Sequence, residues 1–253
     1  MAGSTAWDAG HPSEGRAAWQ QAVRLQPSYA RGHLHLALTS GNPDAARRHL
    51  RHALLASPHD PQATLALAQL DRQSGDSAAA TKALQTLLTT SPGYAPAVLE
   101  LAQIYNQQGQ PAAAATILED LVQQQPRHVP AWRLLARAWE ASGQSAKAMA
   151  AYQQALALIP DDPTTLYNLG MLALSANESQ TARESLAHFL QVAPQAPEAV
   201  VAWVNLGFMA LSTGDREAAR RALQQATTLG LPDDAVLRRQ VATALADLGP
   251  GTP

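Results

Sequence analysis

Arg133 and Arg137 stand four residues apart in the run from Val129 to Pro160, VPAWRLLARAWEASGQSAKAMAAYQQALALIP. On a helix both guanidinium groups leave one face, where together they could hold a carboxylate by charge-assisted, bidentate hydrogen bonds. Asn168 and Asn205 follow at one shared slot of the two later repeats. Tyr167, Met171, Val204, Phe208 and Leu211 add five sizeable apolar side chains to the same side. Such a patch marks a partner site unless the final helix of the chain curls back and covers it. A second group of candidates is His33, His35, His49 and His52, of which the last two are three residues apart and share a helix face. Only Asp44 joins them as an acid, and His33 takes a core-facing slot, so they read as surface histidines rather than as a metal site. The chain has no Gly-rich phosphate loop, no GxSxG and no HExxH, and the absence of cysteine excludes thiol catalysis, disulfides and Cys-based metal sites. The expectation is a protein that is not an enzyme and needs no cofactor and no metal.

The elements that must position these residues are helical. In the quoted run Trp132, Leu135, Ala136 and Trp139 form one apolar stripe, and Ala148, Tyr152 and Ala155 form another, both at helical spacing and separated by Ser142-Gly143. At 100° per residue the slots of Arg133 and Arg137 point away from the stripe. The hairpin then recurs. Closing prolines at Pro58, Pro92, Pro126, Pro160 and Pro194 stand at a constant spacing, Gly143 is matched by Gly75, Gly109 and Asn177, and Ala148 by Ala80, Ala114 and Ala182. Pro61, Pro96, Pro130 and Pro163 fall in the first turn of each leading helix, where a missing N–H is harmless.

This pattern of aromatic, Leu, Ala, aromatic, then Gly, Ala, aromatic, Ala and a closing Pro resembles the tetratricopeptide repeat. The resemblance implies an all-α fold, a right-handed superhelical solenoid of antiparallel helix pairs with a C-terminal capping helix. It also implies a concave groove that binds a peptide or partner protein without catalysis. In that family an Asn in the slot of Asn168 and Asn205 commonly bonds the backbone of a bound peptide, and chaperone-binding members add basic residues that clamp a terminal carboxylate. Here Val201 and Asn205 stand where the second basic pair would be, so the likeness to that clamp is partial. The resulting site is Arg133, Arg137, Tyr167, Asn168, Met171, Val204, Asn205 and Phe208. Its predicted role is a non-catalytic interaction scaffold or adaptor. The alternatives are the repeat portion of a bacterial envelope-assembly or cytochrome c maturation factor, or a regulatory module of a fused enzyme.

The register divides the chain into an N-terminal segment 1–12, a single array 13–248 and a disordered tail 249–253. Within the array lie a half unit 13–27, units of about 30–58, 61–92, 95–126, 129–160, 163–194 and 197–231, and the capping helix 233–248. The unit 30–58 is short and should lose most of a turn from its first helix. The unit 197–231 carries three added residues, expected as an extra turn at the start of its leading helix. The half unit is a second helix without a first, so Trp19 meets no repeat partner. Either upstream residues such as Trp7 fold over it, it caps the array with Trp19 partly exposed, or two copies meet there in a two-fold homodimer.

Composition agrees with a thin, Ala-packed array: 46% of the 253 residues are hydrophobic but only 5% aromatic. A formal net charge of −2 provides no general attraction to nucleic acid or an anionic membrane, so neither is expected as a partner. The N-terminus lacks the apolar core of a signal peptide and no stretch is long enough to span a bilayer. The sequence as written reads as cytoplasmic, or periplasmic if a signal or anchor has been removed. Sparse Lys beside many Arg and Ala suits a GC-rich bacterial genome.

Overall fold

The computed structural model describes residues 12–249. The expectations for the N-terminal segment and Trp7, and for the tail beyond Gly249, fall outside the described residues. Among the described residues the chain forms helices and no strand. It comprises two compact units, residues 1–126 and 127–253. The first contains α1 (Pro12–Leu25), α2 (Ala30–Leu38), α3 (Pro43–Ala56), α4 (Pro61–Gln73), α5 (Ser77–Thr90), α6 (Ala95–Gln107) and α7 (Pro111–Gln124). The second contains α8 (Val129–Ala141), α9 (Ser145–Leu158), α10 (Pro163–Ser175), α11 (Ser179–Val192), α12 (Ala199–Ser212), α13 (Arg216–Leu229) and α14 (Ala235–Leu248).

Local chemistry sets the helix ends. Asn42, Asp60, Asp76, Asp162 and Asp215 cap α3, α4, α5, α10 and α13, each side chain accepting the amide hydrogen three residues on. Leading helices end on a left-handed residue at Gly75, Gly109, Gly143, Asn177 and Gly214, with φ from 61° at Asn177 to 89° at Gly75. The next amide then reaches back five residues, as in Asp76 N to Asp71 O at 2.8 Å and Glu178 N to Ala173 O at 2.8 Å. These bonds satisfy the last carbonyls of the leading helix and turn the chain into its partner. The helix pairs flank these five turns as the register predicts.

Packing follows the small-residue slot. Ala68, Ala102 and Ala136 are fully buried, and the slot is Gly at 170 and 207. A Cβ on Gly170 would lie 2.7 Å from Leu186 Cδ2, and one on Gly207 2.6 Å from Leu223 Cδ2, so at these two points the trailing helix leaves no room for a side chain on the leading one. Helix α2 ends at Leu38, the shortened first helix that the unit length implies.

Two expectations are corrected. The added residues of the sixth unit do not build an extra turn ahead of the leading helix. They mostly lengthen the connection 193–198, where the preceding repeat has only 159–162. Pro197 disfavours helical backbone at Ala196, and two successive tight turns form instead, Ala196 N to Ala193 O at 3.2 Å and Ala199 N to Ala196 O at 2.9 Å. Trp19, in turn, is not an open edge. It is 4% exposed, and its ring stacks on that of His35 with centroids 4.6 Å apart and planes 7° apart. The ring is thus covered within one chain and needs no second copy to bury it.

Candidate functional site

Five of the candidate residues lie on α8 and α10, of which Arg137 is exposed and the other four are half-buried. Arg133 is partly exposed and stands 3.6 Å from Asp162 Oδ2. Asp162 is also the N-cap of α10, where the same oxygen accepts the Thr165 amide at 3.2 Å and the Thr165 hydroxyl. Arg133 therefore rests beside a carboxylate whose charge is already engaged. Arg137, one turn further, is exposed and has no ion pair among the described residues. Two acids, on α8 itself and on α6, are engaged elsewhere. Glu140 accepts the Tyr152 hydroxyl at 3.2 Å, and Glu100 accepts Arg72 Nε at 2.5 Å. Burial, and then the Glu140 carboxylate, hold the Tyr152 hydroxyl far above the usual phenol range, so it remains a donor to Glu140.

On α10, Tyr167 is half-buried with its ring 5.3 Å from Phe189 and tilted by 54°. Burial, with Glu198 adding to it, raises its hydroxyl pKa, so it too stays neutral. Met171 packs against the cluster of Leu166, Phe189 and Ala202, and Asn168 is half-buried beside it in sequence. Asn205 of α12 donates to Val201 O at 3.0 Å, and its amide nitrogen lies 3.5 Å from Met171 Sδ. The structure thus brings Met171 and Asn205 together, and among the described residues no donor reaches the Asn205 carbonyl oxygen. That oxygen can accept an N–H from outside.

Val204 is a correction. It is 5% exposed and belongs to the core with Ala219, Leu223 and Val241, because α13 and α14 pack over this part of α12. A slot taken as outward by helical spacing becomes inward once a further helix is laid on it. Phe208 and Leu211 are half-covered by the same helix. With Ala244 and Leu248 of α14 they form the apolar floor of a cavity of about 640 Å³, rimmed by Arg239 and Gln240. The sequence reading gave 233–248 only as a capping helix; the position of α14 is what brings Arg239 to the border of a cavity. A second cavity of about 520 Å³, unforeseen, has Trp203, Leu206 and Ala210 as its floor and Arg183 and Arg221 at its edges.

The corresponding face in the first unit carries an ion pair and a smaller cavity, of about 260 Å³, beside Gln69 and Gln73. Glu100 is only 6% exposed and ties α6 to α4 through Arg72, with Gln69 Nε2 3.4 Å from its other oxygen. The histidines also differ from a surface group. His33 is 7% exposed and His49 half-buried, with their Nδ1 atoms 3.0 Å apart. Among the described residues no set of three His, Cys, Asp or Glu side chains converges to hold a metal ion.

Capped helix pairs, a left-handed turn in each pair, a small-residue contact slot and an outward face carrying guanidinium, amide and apolar groups together define a helical-repeat interaction protein. Residues 1–39, 37–88, 71–138, 134–202 and 200–229 match the tetratricopeptide repeat, so that the chain belongs to the tetratricopeptide-repeat family. Its fold is an all-α helical-repeat solenoid. Among solved structures it is similar to the C-terminal part of a repeat protein from Cytophaga hutchinsonii, with 11% identity over 96% of this chain and 98% of that one and a TM-score of 0.78. It is similar to MamA from Desulfovibrio magneticus RS-1, with 22% identity over 66% and 97% and a TM-score of 0.60. PilW, described as a widely conserved type IV pilus biogenesis factor, gives 20% identity over 78% and 93% and a TM-score of 0.67. At these identities the likeness concerns the fold. No curated protein matches the sequence significantly. No helix among the described residues is long and apolar enough to cross a membrane.

Proposed function

We propose that the chain is a non-catalytic scaffold whose second unit holds an extended peptide segment along the outward faces of α8, α10 and α12. Arg137, with Arg133, receives an acidic group; Asn168 and the Asn205 carbonyl bond the peptide backbone; Tyr167 and Met171 form an apolar shelf; and an apolar side chain enters the cavity floored by Phe208 and Leu211. The observation that carries this reading is the order of the groups. An exposed guanidinium without an ion pair, then amides, then an apolar cavity follow one another on three successive leading helices of one unit. Orientation, register and affinity of an extended ligand need those three kinds of contact.

A photo-crosslinking amino acid in place of Met171, used in the cells that make the protein, tests the site and identifies the partner together. Adducts are expected from position 171 and not from Gln153, an exposed residue of the trailing helix α9. For the partner so captured, the double substitution Arg133→Ala with Arg137→Ala should weaken binding by about 2 to 4 kcal/mol if the acid is desolvated. Phe208→Ala should act mainly through a faster dissociation rate. Equal crosslinking at 153 and 171, or unchanged affinity in the variants, removes the site. The similarity to PilW favours a second, narrower reading in which the scaffold serves assembly of envelope machinery; the identity of the crosslinked partner separates the two.

A further inference from the structure

The first unit contains a cluster that peptide binding does not use. His33 of α2 lies with its Nε2 3.0 Å from Pro27 O and its Nδ1 3.0 Å from His49 Nδ1 of α3. A carbonyl can only accept, so Nε2 of His33 carries the hydrogen. In the neutral ring Nδ1 is then an acceptor, and the hydrogen between the two rings belongs to His49. The His52 ring, one turn along α3, stacks on His33 with centroids 5.0 Å apart. Three imidazoles thus meet across the joint between α2 and α3, at the shortest leading helix of the array.

The arrangement accepts protons poorly. The groups acting on His49 are His33 from α2, His52 and Arg48 from its own helix and Arg16 from α1, every one of which is positive when charged. The carboxylates of these helices, Glu14 and Asp44, are exposed in first turns. On α4, which packs against α3, Asp71 is held by Arg47 at 2.8 Å and Arg72 by Glu100. Full protonation of the His33 and His49 rings would set two N–H groups against each other where one hydrogen bond stands. Burial first, and these positive neighbours second, lower the pKa of His49 below 6.5. The unfolded chain, which has no such penalty, takes the proton first as pH falls.

We infer that His33, His49 and His52 form an acid-sensitive latch that holds α2 on α3 at neutral pH and releases the N-terminal helices in mild acid. The stability it adds is present in full above the unfolded-state value of 6.5 and is lost as pH falls through the lower folded-state value. Release would uncover His33 and the buried Leu34 and Leu36 of α2, as well as Trp19, which stacks on the same helix.

Hydrogen exchange of the full chain tests this. Between about pH 7.5 and pH 5.5, after correction for intrinsic rates, exchange in residues 30–56 should accelerate several-fold, with about tenfold as the ceiling that one histidine sets, while 61–124 stays within about twofold. His49→Gln keeps an N–H donor for His33 Nδ1 and removes the titration, so it should flatten that pH dependence. A uniform change across the first unit, or the same pH dependence in His49→Gln as in the parent, overturns the latch. Titration of the parent by imidazole NMR is independent of any variant. A His49 midpoint below 6.5 is expected, and one at or above 6.5 also overturns it.

Discussion

At the scale of single residues, chemistry in this chain is decided by what lies opposite. Gly170 illustrates the rule. Replacing a helical Gly by Ala ordinarily gains up to about 1 kcal/mol from helix propensity. At Gly170 the new methyl would lie 2.7 Å from Leu186 Cδ2 and Cγ and 3.3 Å from the Leu186 backbone nitrogen, and Leu186 is fully buried. Overpacking should therefore win, and Gly170→Ala should lower stability by roughly 1 to 2 kcal/mol in urea unfolding. A stabilised variant would mean that Leu186 can swing aside. Ala148, completely buried between helices, gives the opposite extreme. Ala148→Asp places an unpaired carboxylate in the core and should cost roughly 3 kcal/mol or more, measurable as a large drop in thermal midpoint.

At the scale of the helix, the sequence writes the ends more clearly than the faces. Asp162 both caps α10 and lies beside Arg133, so Asp162→Ala should lose about 1 to 2 kcal/mol, most of it from the cap. Asp162→Asn, which keeps an acceptor for the Thr165 amide, should recover most of that loss; an equal loss would show that the charge facing Arg133 matters more than the cap. Asn177 is the one non-Gly residue at positive φ among the described residues. Asn177→Gly should therefore stabilise the α10 to α11 turn by a few tenths of a kcal/mol up to about 1, seen as a raised urea midpoint. The helical faces were harder to assign. Val204 was placed in the candidate site and is buried, because α13 and α14 pack over it, and Trp19, left open between coverage, a partly exposed cap and a dimer contact, is buried with its ring on His35.

At the scale of the molecule, stability in a repeat chain is shared between neighbours rather than through one central core. The hydrophobic clusters bear this out, each joining helices close in sequence, as Leu34, Leu50 and Ala63 do in the first unit and Leu166, Phe189 and Ala202 in the second. Damage should accordingly spread over a repeat or two and fade. In Ala148→Asp, hydrogen exchange should accelerate most in 129–175 and least in 43–90, and a uniform increase across the chain would show longer-range cooperativity. The second unit has a cavity of about 640 Å³ beside Phe208, whereas in the first unit Arg72 is engaged by Glu100 and the cavity beside Gln69 and Gln73 is about 260 Å³.

The sequence by itself determined the helical class, the repeat length, the turns at Gly75, Gly109, Gly143, Asn177 and Gly214, and the shortened α2. Each follows from local rules: proline at a helix start, a left-handed residue at a helix end, apolar spacing of three and four. The exposed side of α8 at Arg137 also follows from its spacing, although that helix buries Ala131, Leu134 and Ala138 in addition to the expected stripe. Tertiary structure alone decided the burial of Val204, the cavity beside Phe208, the Arg72 pair with Glu100 and the meeting of His33 with His49. All four depend on which side chains from different helices arrive at the same point. Periodicity gives the direction in which a side chain leaves its own helix, but whether that direction leads to water, to a carboxylate or to another ring is fixed by the neighbouring helix that packs there.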